Sequence, residues 1–152
     1  MANLSYDLSD DLMVYLSYSE GFKSGGFTQR VFPPIVAPFT APVGTADIDL
    51  IPTYDPEFVE VLELGFKGTF AGGRLRLNGA LFSTDYEDLQ VQVFNSVAPV
   101  TQNIGKASIE GIELELLASP GNGWLVESSV SLLDASYDEI DTGNTLIGLS
   151  ND

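Results

Sequence analysis

The sequence predicts an all-β fold, an antiparallel meander of about six strands that forms part of a large transmembrane β-barrel. Three observations predict it. Apolar and polar residues alternate with a period of two over most of the chain, no stretch reads as a helix, and tight turns alternate with long connections.

The first strand, near residues 3–8, sets Leu4, Tyr6 and Leu8 against Asn3, Ser5 and Asp7. After the polar turn Ser9-Asp10-Asp11 the same phase returns over residues 12–18 with Leu12, Val14, Leu16 and Tyr18, which reads as a hairpin. A third strand, 58–70, has Leu62, Leu64, Phe66 and Phe70 on one face and Glu63, Gly65, Lys67 and Thr69 on the other. Ala71-Gly72-Gly73 then turns the chain into a fourth strand, 74–94, opening with Leu75, Leu77 and Leu81 and continuing to Leu89, Val91 and Val93. Ser83, Asp85 and Glu87 interrupt its apolar face, as expected of a strand leaving apolar surroundings. The fifth and sixth strands, 104–118 and 124–137, flank the turn Ser119–Gly123. There Ile112, Leu114 and Leu116 oppose Glu113 and Glu115, and Trp124, Val126, Val130 and Leu132 oppose Glu127, Ser129 and Ser131.

The connections discriminate between architectures. Residues 19–57, 95–103 and 138–152 are expected to be long loops, so all tight turns fall at one end of the sheet and all long loops at the other. A soluble, secreted β-sandwich that binds carbohydrate or protein would also show one apolar face per strand, turned to a core. The short/long asymmetry favours a membrane barrel, in which apolar faces meet lipid and polar faces a wet lumen. Glu63, Lys67, Arg76, Glu113, Glu115 and Glu127 suit such a lumen and are expected to pair across neighbouring strands. Trp124 and Tyr18 fall at opposite strand ends, where aromatic girdles are expected, although ordinary core or surface rings fit them too. Glu60 breaks the apolar phase and is tolerable only clear of the lipid. Six strands do not close a membrane barrel, since about eight are needed, so residues 1–152 are expected to be one part of a larger barrel.

Composition removes whole classes of chemistry. With no histidine and no cysteine, histidine-based nucleophilic catalysis, thiolate metal sites and disulfides are all excluded. Six Lys and Arg against 22 Asp and Glu, a formal charge of −16, argue against a nucleic-acid partner. No unbroken apolar run is long enough for a membrane helix. The start, MANLSYDLSD, has no export-signal pattern. Glu113 and Glu115 share a strand face, about 7 Å apart at Cα, and a glycosidase pair is conceivable. Polar lumen residues are the better reading, and no catalytic residue is assigned. Asp47, Asp49 and Asp55, with Asp134, Asp138, Glu139 and Asp141, invite a calcium reading but match no EF-hand spacing. No metal ligand and no cofactor are assigned.

The connection 19–57 carries Pro33, Pro34, Pro38, Pro42, Pro52 and Pro56, a density that resists regular pairing. Its aromatic and cationic residues stand out in an acidic chain, and Phe22, Lys23, Arg30 and Phe39 are the candidate ligand-binding residues. Packing of the same rings within the loop is the plainer alternative. At its start, GFKSGGF (Gly21–Phe27) is not a phosphate cradle, because prolines rather than a helix come after it. Its glycines suit a bulge or sharp turn at a barrel rim.

Four segments together resemble the barrel region of TonB-dependent outer-membrane receptors: VYLSYSEGFKSGGF (14–27), YDPEFVEVLELGFKGTF (54–70), RLRLNGALFSTDYEDLQVQ (74–92) and NIGKASIEGIELEL (103–116). The resemblance runs from Leu4 to Tyr137, and the order of the four segments is its most specific feature. It implies a barrel of about 22 strands, plugged by an N-terminal domain, in the outer membrane of a Gram-negative cell. It also implies uptake of a scarce small-molecule ligand, foremost a ferric siderophore, with energy relayed by the TonB complex. Outer-membrane lipid, the plug, the remaining strands and TonB are the partners so implied. The plug and the TonB-contacting region are not found in these 152 residues.

Overall fold

The computed structural model describes residues 1–27, 53–95 and 98–140. They form ten strands: β1 (Ala2–Ser9), β2 (Leu12–Lys23), β3 (Gly26–Phe27), β4 (Thr53–Tyr54), β5 (Glu57–Phe70), β6 (Leu75–Glu87), β7 (Gln90–Asn95), β8 (Ala98–Asn103), β9 (Gly105–Gly121) and β10 (Trp124–Ile140). Six of them make one antiparallel sheet in the order β1-β2-β5-β6-β9-β10, which is chain order without a crossover. The other four form two small sheets, β3-β4 and β7-β8.

Several boundaries differ from the sequence reading. The expected fourth strand, 74–94, breaks at Asp88, whose φ of 54° lies in the left-handed region that Asp tolerates better than most residues. Past that break the chain forms β7, which turns back on β8, so the expected loop 95–103 is largely a hairpin with Val93 opposite Val100 and Gln90 opposite Asn103. The second strand runs on to Lys23, and the connection 19–57 holds β3 and β4 near its ends. β9 extends to Gly121, because the tight turn is the two-residue Asn122-Gly123 with φ of 55° and 77° rather than the whole of Ser119–Gly123. Two positive φ values match the right-handed twist of the flanking strands, which is why Asn-Gly is favoured there. β10 reaches Ile140 inside the expected loop 138–152, and the rest of that loop lies outside the described residues.

The chain divides into two compact units. The first comprises Met1–Gly21, Val59–Asp85 and Ala107–Ser136, and the second Phe22–Phe58, Tyr86–Lys106 and Tyr137–Asp152.

Within the first unit the apolar phase is uncovered. Leu4, Leu62, Leu64, Leu114 and Leu132 are 71, 50, 52, 45 and 66% exposed, values that a sandwich core would not leave. On the opposite phase the Tyr15 hydroxyl donates to Glu63 Oε1 at 2.6 Å, and Lys67 Nζ lies 5.6 Å from the Tyr15 ring centre. Asn78 Nδ2 donates to Glu115 Oε2 at 3.2 Å. At Glu63 and Glu115, then, neutral donors take the place of the expected ion pairs. A tyrosine hydroxyl or an amide suits a single carboxylate where cations are scarce, six in the whole chain.

Successive strands of this unit are also fitted to each other ring over glycine. A Cβ on Gly65 of β5 would strike the Tyr15 ring of β2, one on Gly79 of β6 would lie 2.5 Å from Phe66 of β5, and one on Gly111 of β9 2.5 Å from Phe82 of β6. Three consecutive strand interfaces each carry such a pair. A one-residue slip would move the ring to the wrong face, so the pairs reinforce the register.

Candidate functional site

The second unit holds most of the candidate residues, and its geometry starts from a proline. Asp55 precedes Pro56, which restricts it to extended backbone and leaves no helix to satisfy its polar groups. Two side-chain amides do so instead. Asn103 accepts from the Asp55 N–H at 2.7 Å and donates through Nδ2 to the Asp55 carbonyl at 3.0 Å and to the Asp88 carbonyl at 2.6 Å. Gln90 donates through Nε2 to the carbonyls of Asp55 at 2.9 Å, Ser24 at 3.1 Å and Lys23 at 3.4 Å. The Gln90 N–H is taken by Glu57 Oε2 at 2.7 Å.

Gln90 and Asn103 can act together because they are direct partners across the β7-β8 ladder, which puts both side chains on one face. The ladder continues beyond the hairpin, where the Leu89 N–H donates to Gly105 O at 3.0 Å and the Ile104 N–H to Leu89 O at 2.9 Å. Val100, on the opposite face of the hairpin, is 2% exposed and Ile104 7%, and Gln90 itself is 9% exposed. The Gln90 hydrogen bonds are partly shielded from water and hold more firmly than surface ones, whereas those of Asn103 are exposed.

From the other side, the chain after β2 lies directly against this turn. A Cβ on Gly25 would come within 2.6 Å of the Tyr54 carbonyl oxygen and 2.9 Å of Pro56 N, so any side chain there collides with backbone. Gly26 pairs with Tyr54, and Phe27 with Thr53. The glycines of GFKSGGF thus permit a close passage of two backbones.

Phe22 and Lys23 end β2, and both are exposed. Gln90 Nε2 reaches the Lys23 carbonyl at 3.4 Å, the longest of its three contacts, and the firmer bond at 3.1 Å to Ser24 O restrains the backbone beside this exposed side chain. Phe27 is 59% exposed two positions past the clamped Ser24–Gly25 turn. Arg30 and Phe39 lie outside the described residues, as do Asp47, Asp49 and Asp141. Lys106 Nζ is 2.7 Å from Glu87 Oε1, and this bond raises the ammonium pKa above its usual value. Both side chains are half or more exposed, so the pair adds little stability. Among the described residues no group of three or more acidic side chains converges as a metal site.

Sequence reasoning missed Gln90 and Asn103. Gln90 fell within the expected strand 74–94 and Asn103 within the expected loop 95–103, and their role emerges only when four separate backbone segments are brought to one place. A signal was present in the near-symmetry of Gln90-Val91-Gln92-Val93 and Val100-Thr101-Gln102-Asn103.

Comparison with known proteins agrees with this architecture. Residues 1–151 match the family model described as TonB dependent receptor-like, beta-barrel. The ferric-pyoverdine 358 receptor of Pseudomonas putida is 30% identical over 136 residues, 86% of this chain and 14% of that receptor. The ferric yersiniabactin uptake receptor FyuA of Yersinia pestis superposes with a TM-score of 0.60 at 24% identity over 91% of this chain and 18% of its own. The siderophore receptor PirA of Pseudomonas aeruginosa does so with 0.61 at 18% identity over 90% and 28%. The chain thus spans about a seventh of the curated relative's length. It belongs to the TonB-dependent receptor family and is a segment of that family's outer-membrane β-barrel.

Proposed function

We propose that this segment serves in a receptor that imports a ferric siderophore across the outer membrane, with energy supplied through TonB. Its six-stranded sheet forms part of the barrel wall, apolar phase to lipid and polar phase to the lumen, where a plug domain is the partner. The observation that carries the reading is the exposed phase of Leu62, Leu64 and Leu114 beside a hydrogen-bonded opposite phase of Tyr15, Glu63, Asn78 and Glu115. Water would not tolerate the first face, and lipid would not tolerate the second. The names of the matched relatives support the ligand class, and none of them is named as an enzyme.

Phe22 and Lys23, with Arg30 and Phe39, are the residues proposed to touch the ligand, a ring-bearing anion suited to aromatic and cationic contacts. Two experiments in the full-length receptor test this. Nitroxides at Leu62, Leu64, Leu114 and Leu116 should report hydrocarbon, and water-like accessibility at all four would refute the membrane reading. Uptake of radio-iron as ferric pyoverdine should show a KM raised about tenfold or more by Lys23→Ala, the size expected for one charge-assisted contact. An unchanged KM for this and for Phe22→Ala would remove these two from the site.

A further inference from the structure

We propose that Gln90 and Asn103 are positioning residues that make the roots of the 19–57 connection and the β7-β8 hairpin one recognition element. The inference rests on the ligand-site reading above and deepens it, because neither amide is offered as a ligand contact.

The geometry is economical in donors. Asn103 closes on Asp55 as a second peptide group would, giving one donor and one acceptor to the same residue, and uses its remaining proton on Asp88 at the start of the hairpin. Gln90 bridges the far side of the same turn to Lys23 and Ser24, at the other root of the connection. Every bond from these side chains to the roots ends on main chain, so what is held is the course of the backbone. The outcome is that the chain leaving β2 and the chain entering β5 are tied to one cross-strand pair. Gly25, too close to Tyr54 O for any Cβ, completes the fit from the opposite side.

This arrangement bears on recognition through Lys23. A cation on a long side chain gains ligand affinity when its base is held, because less freedom is lost on binding. With Lys23 O and Ser24 O released, Lys23 would be presented from a looser backbone. The hairpin would then influence affinity without contacting ligand.

Isosteric variants of the full-length receptor test the proposal, Asn103→Asp and Gln90→Glu, which keep volume and remove the amide donors. This chain has no cysteine, so in a full-length background free of other cysteines a nitroxide at Phe27→Cys reports the turn, and one at Leu64→Cys is the control. The expected result is a mobile label at 27, an unchanged label at 64, and a KM for ferric pyoverdine uptake raised about threefold or more at unchanged maximal rate, as for loss of one or two hydrogen bonds. Asn103→Gln, which retains both functions of the amide, should recover part of the KM. A label at 27 as rigid as in the parent overturns the clamp, whatever the KM does. A mobile label with unchanged KM overturns its role in recognition; if Lys23→Ala also leaves KM unchanged, the ligand-site reading falls with it and the clamp remains as structure alone.

Discussion

The two units of this chain are held together by opposite means. The first is a sheet open on both faces, stabilised internally by its backbone ladder, by rings lying on glycines and by a few hydrogen bonds on its polar phase. Among its described residues the second has Val100 and Ile104 buried and two amides spending their protons on backbone carbonyls. On the proposed membrane reading, lipid supplies the rest of the first unit's stabilisation: an apolar face at half exposure is a liability in water and an asset in lipid. The described part of the second unit is braced by its own hydrogen bonds. Substitutions should therefore act on the first through what surrounds it and on the second through what it contains.

The largest expected effect separates lipid from lumen on neighbouring residues. In the full-length receptor folded into bilayers, Leu64→Arg should cost about 2–4 kcal/mol in urea unfolding if it lies near the midplane, whereas Glu63→Gln on the opposite phase should cost about 1 kcal/mol. Equal costs would break the assignment of faces. Next comes a contrast between glycines. Gly25→Ala puts a methyl group against backbone and should cost about 3 kcal/mol, while Gly79→Ala meets the movable tips of Phe66 and Leu114 and should cost about 1 kcal/mol. A reversal of that order would mean that the ring-over-glycine fit is the stiffer of the two.

Smaller again is Tyr15→Phe, which removes the donor to Glu63 and leaves the ring in place over Gly65. It should cost about 1 kcal/mol in the same assay, because water in the lumen partly replaces the hydroxyl. The smallest effect has the opposite sign. Gln102 is 6% exposed and its Oε1 is buried without a hydrogen-bond partner among the described residues, so Gln102→Met should stabilise the receptor by up to about 1 kcal/mol. Destabilisation would reveal a partner for that oxygen in the full receptor.

The alternation of Leu62, Leu64 and Phe66 with Glu63, Gly65 and Lys67 was sufficient to place a strand and both of its faces, because a two-residue period is a local property of extended backbone. The same logic failed at Asp88. Val91 and Val93 keep the phase of Leu75 to Leu81, so nothing in periodicity reveals that the strand ends and a hairpin begins. The candidate site was legible only in part. Phe22 and Lys23 announced themselves as aromatic and cationic residues in an acidic chain, and they do stand exposed at a strand end.

By itself, then, the sequence determined the β class, the strand phases, the tight turns and the family, all of which reside in short-range pattern and in the order of motifs. Only the tertiary structure decided that GFKSGGF passes against Tyr54–Pro56 and that Gln90 and Asn103 fasten the two, 66 and 48 residues away along the chain. Hydrogen bonds between residues so far apart leave no periodicity. An amide that binds backbone carries in the sequence no mark that separates it from one that faces water.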